Sequence, residues 1–422
     1  MARYLSMNSL AILHASQLVT LTGAKRPRIG PELSELGIIP NGGMLIRDGQ
    51  IERVSASDEI EKNVGDAEVV DADGRVVMAG FVDAHTHLVF AGNRLDDFER
   101  RVRGETYEQI AKAGGGIWST VQKTRAASEL DLLRLAKKHA NWFLRCGTTT
   151  VEAKSGYGLT IEDELKILRV LRQLKQAVPL EIVPTFLGAH AVPRELSPDE
   201  YLDVVITEML PRVTAEKLAE FCDVFCERGY FNIDQSRKIL SAAKKLGLTL
   251  RGHVDQLTNS GGAQLMAEMG ATAADHLEQT DEQGIAALKK ANVQPVLLPG
   301  SVYALGLSRY PRAREMIEAG LAVVLATDFN PGSSPTASMP MVLSLACTQM
   351  KMSPAEAITA STVNAAYSLN RGDSIGSLEP GKVANFVIFD CEDYRELPYW
   401  FGMPQTHSVY VRGECVSRSG GL

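Results

Sequence analysis

From residue 76 onward, short β-rich apolar runs alternate with stretches of helical periodicity. The runs are Val76–His87, Thr148–Ala153, Glu181–His190, Phe221–Glu227, Leu248–His253, Ala271–His276, Val293–Pro299 and Ala322–Asp328. Most are apolar at nearly every position, the pattern of parallel strands covered on both faces. Helices are predicted over 161–177, 234–246, 262–269 and 281–291, and Leu165, Leu168, Leu171 and Leu174 form an amphipathic stripe on the first. Eight such alternations predict an α/β fold, a (β/α)8 TIM barrel. No glycine-rich dinucleotide fingerprint follows the first run, which argues against an open doubly wound sheet.

Two further β-rich pieces flank this pattern, one over 10–70 and one over 375–416. Neither can bury its strands alone, so the two ends are expected to pair. The predicted division is a composite small β-sandwich domain from residues 1–75 plus 375–422, and a barrel over 76–374. Asp48-Gly49 marks a hairpin turn in the first piece.

Composition narrows the partners. The net charge is −7 with no Lys/Arg run, which argues against nucleic acid. No window approaches the ~18 apolar residues of a membrane span, and the first ten residues do not read as a signal peptide. Six cysteines in 422 residues do not form a disulfide framework, and Cys222 and Cys226 read as buried free thiols. A cytoplasmic location is expected.

Candidate chemistry sits where a barrel requires it, at the carboxyl ends of the strands. Of eight histidines, five lie there: His85 and His87 on the first run, His190 on the third, His253 on the fifth and His276 on the sixth. Asp328 ends the eighth. His14, His139 and His407 lie elsewhere and receive no function. His85 and His87 are two apart on a strand and share one face, so both imidazoles reach one point. Three imidazoles and a carboxylate suit zinc, with iron next. Spacing alone leaves His253 and His276 equally placed as the third imidazole. The fourth run has no lysine to bridge a second metal, which favours one ion, although Glu227 leaves a two-metal site open.

The segment FVDAHTH over 81–87, the later histidines, the Thr327-Asp328 ending and GSLEPGKVAN over 376–385 together resemble the amidohydrolase superfamily across nearly the whole chain. Longer motifs resemble one branch of it: HTHLVFAGNR over 85–94, GGGIWSTV over 114–121, KSGYG over 154–158 and TDFNPGSSP over 327–335. That branch opens the ring of 4-imidazolone-5-propanoate at its lactam carbonyl to give N-formimidoyl-L-glutamate. The resemblance implies one zinc or iron ion held by His85, His87, His253 and Asp328. It implies that His276 lies beside the nucleophilic water, that Asp328 moves its proton, and that His190 contacts the substrate ring. A homodimer is expected.

Other residues then acquire candidate roles. Arg94 could pair with the propanoate carboxylate, although an arginine in such a loop is ordinarily a solvated charge. Tyr107 and Tyr157 could each offer a hydroxyl, although tyrosines usually serve cores. Asn330, Gly332 and Ser333 could offer an amide and backbone N–H groups to an anion. Gln256, where some relatives carry glutamate, reads as a substrate contact and not a base. Gly114–Gly116 lacks a Lys-Ser/Thr ending and reads as a lid loop rather than a phosphate cradle. Two alternatives compete: another hydrolase or deaminase of the same fold, which should carry a His-x-x-Glu pair, and a silent scaffold barrel, which should have lost its ligands.

Overall fold

The computed structural model describes residues 9–105, 109–110 and 113–419. Its strands in chain order are β1 (Leu10–Val19), β2 (Ile38–Arg47), β3 (Gln50–Ala56), β4 (Glu68–Asp71), β5 (Val76–Ala79), β6 (Phe81–Asp83), β7 (Thr148–Lys154), β8 (Glu181–Ala189) and β9 (Phe221–Cys226). There follow β10 (Thr249–Leu250), β11 (His253–Val254), β12 (Ala273–His276), β13 (Gln294–Leu297), β14 (Val324–Leu325), β15 (Phe386–Phe389), β16 (Thr406–Val411) and β17 (Glu414–Arg418). The chain divides into two units: one holds the N-terminal segment through Ala84, Asn141–Thr150 and Ser338 onward, the other His85–Ala140 and Val151–Ala337.

The first unit is built on an eight-stranded sheet in the order β17-β16-β15-β5-β1-β2-β3, with β4 beside β1. Both chain ends contribute, joined where β5 pairs antiparallel with β15. The strands form one continuous sheet because β1 changes register between Ile12 and Ala15 and serves β4 at one end and β5 at the other. Asp48 and Gly49 have φ of 51° and 75°, the left-handed pair a two-residue hairpin turn requires between β2 and β3.

The second sheet runs β14-β13-β12-β11-β9-β8-β7-β6, with β10 also beside β9, and its registered pairs are parallel. Backbone bonds close the ring beyond the strand ends. His87 N–H donates to Phe329 O at 2.8 Å, Asp328 N–H to His85 O at 3.1 Å, and Lys154 N–H to Thr86 O at 2.9 Å. These bonds lock together the chain segments that carry His85, His87, Lys154 and Asp328.

Two runs read as single strands are each split. The run over 76–87 becomes β5 in one sheet and β6 in the other, because the chain changes sheets at Gly80. Gly80 N–H donates to Asn385 O at 3.0 Å, and a Cβ there would lie 2.4 Å from the Thr149 side chain. The fifth run breaks at Arg251-Gly252, where a Cβ on Gly252 would lie 2.5 Å from Met266 Sδ.

The helix Ile161–Ala177 matches its predicted span. Thr160 caps it by accepting from Asp163 N–H at 3.1 Å, worth about 1 kcal/mol. Its stripe of Leu165, Leu168, Leu171 and Leu174 is buried.

Candidate metal centre and substrate cavity

The side chains of His85, His87 and His253 bring their ligand nitrogens within 4.8 Å of one another, and His85, His276 and Asp328 form an overlapping group of the same size. His87 Nε2 lies 3.5 Å from His253 Nε2. Asp328 Oδ1 lies 3.6 Å from His85 Nε2 and 3.7 Å from His87 Nε2. Burial holds His85 and His87 well below the ordinary imidazole pKa, so both are neutral. Neutral rings gathered this closely turn lone pairs toward one another, an arrangement that a cation resolves and that fits a metal ion.

What turns them is a set of buried carboxylates. Asp275 Oδ2 lies 2.6 Å from His85 Nδ1, and Asp223 Oδ1 lies 3.0 Å from His253 Nδ1. Each fixes its ring with Nε2 facing inward. His276 is treated likewise by Glu278, whose Oε1 lies 3.2 Å from Nδ1. Burial pushes the His276 pKa down, but the Glu278, Asp328 and Asp275 carboxylates together outweigh it and the net shift is upward. Asp328 moves the same way for another reason: burial lifts its carboxyl to about 6 against the opposing pull of His276. His276 and Asp328 also have φ of 81° and 55°, left-handed values that cost a non-glycine residue energy and gather at functional sites.

Asp223, Asp275, Lys154 and Glu152 were not singled out from sequence, yet each carried a signal. Each is a charge in a strand otherwise buried on both faces, and a buried charge must be paired.

Above the histidines lies a cavity of about 510 Å³, a size suited to a small ligand, lined by His87, His190, His253, His276, Asp328 and the following residues. Arg94 lies in its wall, with Nε donating to Thr120 Oγ1 at 2.8 Å. Its guanidinium passes over Gly332, where a Cβ would lie 2.1 Å from Nη1. His190 donates from Nδ1 to Gly156 O at 2.9 Å and stacks on His87 at 5.1 Å. Burial lowers its pKa to about 3, so His190 presents a neutral ring. Tyr157 packs on both histidines, 5.6 Å from His87 and 5.4 Å from His190. The loop carrying Tyr157 is shaped by buried Glu164, which accepts from the N–H groups of Gly156, Gly158 and Leu159. Gln256, Asn330, Gly332 and Ser333 also line the cavity, whereas Tyr107 lies outside the described residues.

Two details differ from the sequence reading. The N–H groups of Gly332 and Ser333 are not turned to an anion: both donate to Asn330 Oδ1 at 2.8 Å, closing an Asx turn. Glu227 accepts from the N–H groups of Leu257 and Thr258 at 2.8 and 3.2 Å, so it anchors the loop after β11. Asp255 accepts from Gly262 N–H at 3.0 Å and from Thr280 Oγ1 at 2.8 Å, which holds the start of the helix Gly262–Met269. Cys222 and Cys226 are buried free thiols, and burial pushes Cys226 up to about 11. Among the described residues no helix is long and apolar enough to cross a membrane.

Comparison with known proteins agrees with this geometry. The model of the amidohydrolase family matches residues 76–416. An imidazolonepropionase of Solibacter usitatus is 59% identical, over 98% of this chain and 99% of its own. One from Geobacillus sp. strain WCH70 is 47% identical, over 99% and 100%. Solved structures give the same fold at lower identity. A zinc-bound adenosine deaminase from Xanthomonas campestris has a TM-score of 0.72 at 18% identity, covering 97% of this chain and 92% of that one. A 5-methylcytosine deaminase from Klebsiella pneumoniae has 0.73 at 18%, covering 98% of each. The chain belongs to the amidohydrolase family and, within it, groups with the imidazolonepropionases.

Proposed function

We propose that this chain hydrolyses the lactam C–N bond of 4-imidazolone-5-propanoate to N-formimidoyl-L-glutamate, a step of histidine degradation. The observation that carries this reading is one cavity holding both a His/Asp cluster able to bind a metal and, in its wall, the Arg94 guanidinium. The first fits a hydrolytic centre, and the second fits a substrate with a carboxylate tail.

His85, His87, His253 and Asp328 would hold a single ion, zinc or iron by donor type. When bound, such an ion supplies a Lewis acid and a water acidified toward neutral pH. A single ion fits the engagement of Glu227, whose oxygens are committed to the loop at 257–258. Asp328, a ligand with a second carboxylate oxygen, can take a proton from water there and hand it to the leaving ring nitrogen. His276, oriented by Glu278, directs Nε2 toward the cavity and can polarise the lactam carbonyl. His190 donates through Nδ1 to Gly156, so its Nε2 is an acceptor suited to a ring N–H of the substrate. Arg94, its Nε held by the Thr120 hydroxyl, would pair with the propanoate. Tyr157 and Gln256 complete the wall around the ring.

The test follows ultraviolet loss of the imidazolone and release of formimidoylglutamate by purified protein. Both should stop with chelator and return with zinc or iron. A metal-loaded protein that leaves this substrate untouched, or that deaminates a nucleobase instead, overturns the reading.

A further inference from the structure

Beneath the histidines lies a second layer of side chains that the reaction does not use. Lys154, Arg251, Glu152, Asp223 and Asp275 are all 0% exposed. Lys154 Nζ lies 2.7 Å from Asp223 Oδ2, 2.9 Å from Glu152 Oε1 and 3.8 Å from Asp275 Oδ2. Two of these three carboxylates are the ones that orient metal-facing imidazoles. The other oxygen of Asp223 meets His253 Nδ1, and the same oxygen of Asp275 meets His85 Nδ1. Asp223 is on β9 and Asp275 on β12, with β11 between them.

The geometry points to Lys154 as a positioning residue that ties the two histidine-orienting carboxylates into one unit and so sets the affinity of the metal centre. This inference rests on the reading of His85 and His253 as ligands.

Lys154 is one contact removed from His253 and one from His85, and it reaches them from a third strand, β7. An ammonium with three donors can meet several carboxylates at once, and a fully buried site holds it in one orientation. Without it, Asp223 loses its ammonium partner and the link from Asp223 to Asp275 is cut, so the imidazoles behind the two carboxylates lose their common reference. Partners of metal ligands act in this way on affinity, typically by about 10–100-fold. Arg251 meets the layer at Asp275, at 3.2 Å, whereas Lys154 reaches Asp223 at 2.7 Å. Glu152 serves the layer differently, accepting from Thr86 N–H at 3.2 Å and balancing the lysine.

A purely structural role would be the balancing of buried charge, and a matched variant separates the two. Lys154→Met with Glu152→Gln removes one cation and one anion, so the formal charge of the layer is unchanged. The double variant should fold, with a urea midpoint near that of wild type. Its zinc dissociation constant, measured by chelator competition, should rise about 10–100-fold. The visible bands of the cobalt-substituted protein should shift, whereas Glu152→Gln alone should leave affinity and spectrum as they are. A folded double variant whose zinc affinity stays within about twofold of wild type overturns the proposal. So does a double variant that cannot fold, since Lys154 would then be a requirement of the fold. A wild-type protein that binds no zinc at His85 and His253 fails differently: the ligand reading falls, whatever the variants do.

Discussion

The two layers inside the barrel are built from opposite kinds of polar group. In the lower one, Lys154 and Arg251 face Glu152, Asp223 and Asp275 at ion-pair distances, so charge is met by charge within the chain. In the upper one, the imidazoles of His85 and His87 lie within 4 Å of Asp328, and the guanidinium at the cavity wall is held by a neutral hydroxyl. Buried charges are tolerated only when paired, so the lower layer is a closed framework. The upper layer differs: its ligand atoms converge on one another, and its guanidinium lies in the cavity wall. Changes above should therefore alter chemistry and spare the fold.

The largest break in this contrast is His253→Ala. It removes one imidazole of the proposed set and should abolish bound metal and turnover together, with the urea midpoint of the metal-free protein little changed. Metal content and circular dichroism check it. Because His276 shares a second cluster with His85 and Asp328, His276→Ala is the control. Metal retained by His253→Ala but lost by His276→Ala would exchange the two roles.

Asp328→Asn is next. The amide oxygen can still ligate weakly but cannot accept a proton, so kcat should fall about 10²–10⁴-fold while the fold persists. Turnover close to wild type would show that another group carries the proton. Arg94→Met should cost about 2–5 kcal/mol in kcat/KM for imidazolonepropanoate, expressed mainly as a higher KM. A tail-less imidazolone should lose little, and equal losses on both would make Arg94 a loop support.

Much of the upper layer is legible in the sequence, because a polar, titratable side chain at the end of an apolar run stands out from its neighbours. His85, His87, His253, His276 and Asp328 all do so. The lower layer is harder to read. Lys154 looks like the end of a strand, and Asp223 and Asp275 are single letters inside FCDVFC and AADH. Which charges pair depends on strand order and on which face each side chain takes, and neither is written locally. The change of sheets at Gly80 is hidden for a related reason: β5 and β6 are both fully buried, so the apolar pattern runs through the break without a mark. The loop after Asp328 misled in a third way. Glycine and serine there suggest N–H groups turned to a ligand, but a short polar side chain nearby, Asn330, takes them first.

That loop provides the smallest and most specific test. Gly332 is the seat of Arg94, since a methyl group there would meet Nη1 at 2.1 Å. The obstructing atom is the end of a flexible side chain, and the Gly332 backbone is not among the left-handed glycines, so alanine should be accommodated without loss of fold. The arginine must then move, and its bond to Thr120 ties that movement to a changed direction of the guanidinium. Gly332→Ala should raise KM for imidazolonepropanoate about tenfold, or ~1.4 kcal/mol, with kcat at saturation and metal content near wild type. In an Arg94→Met background the same change should add almost nothing, because the two act through one contact. Additive losses would show that Gly332 serves the cavity independently of Arg94, and the carboxylate site would then lack the support that this glycine lends it.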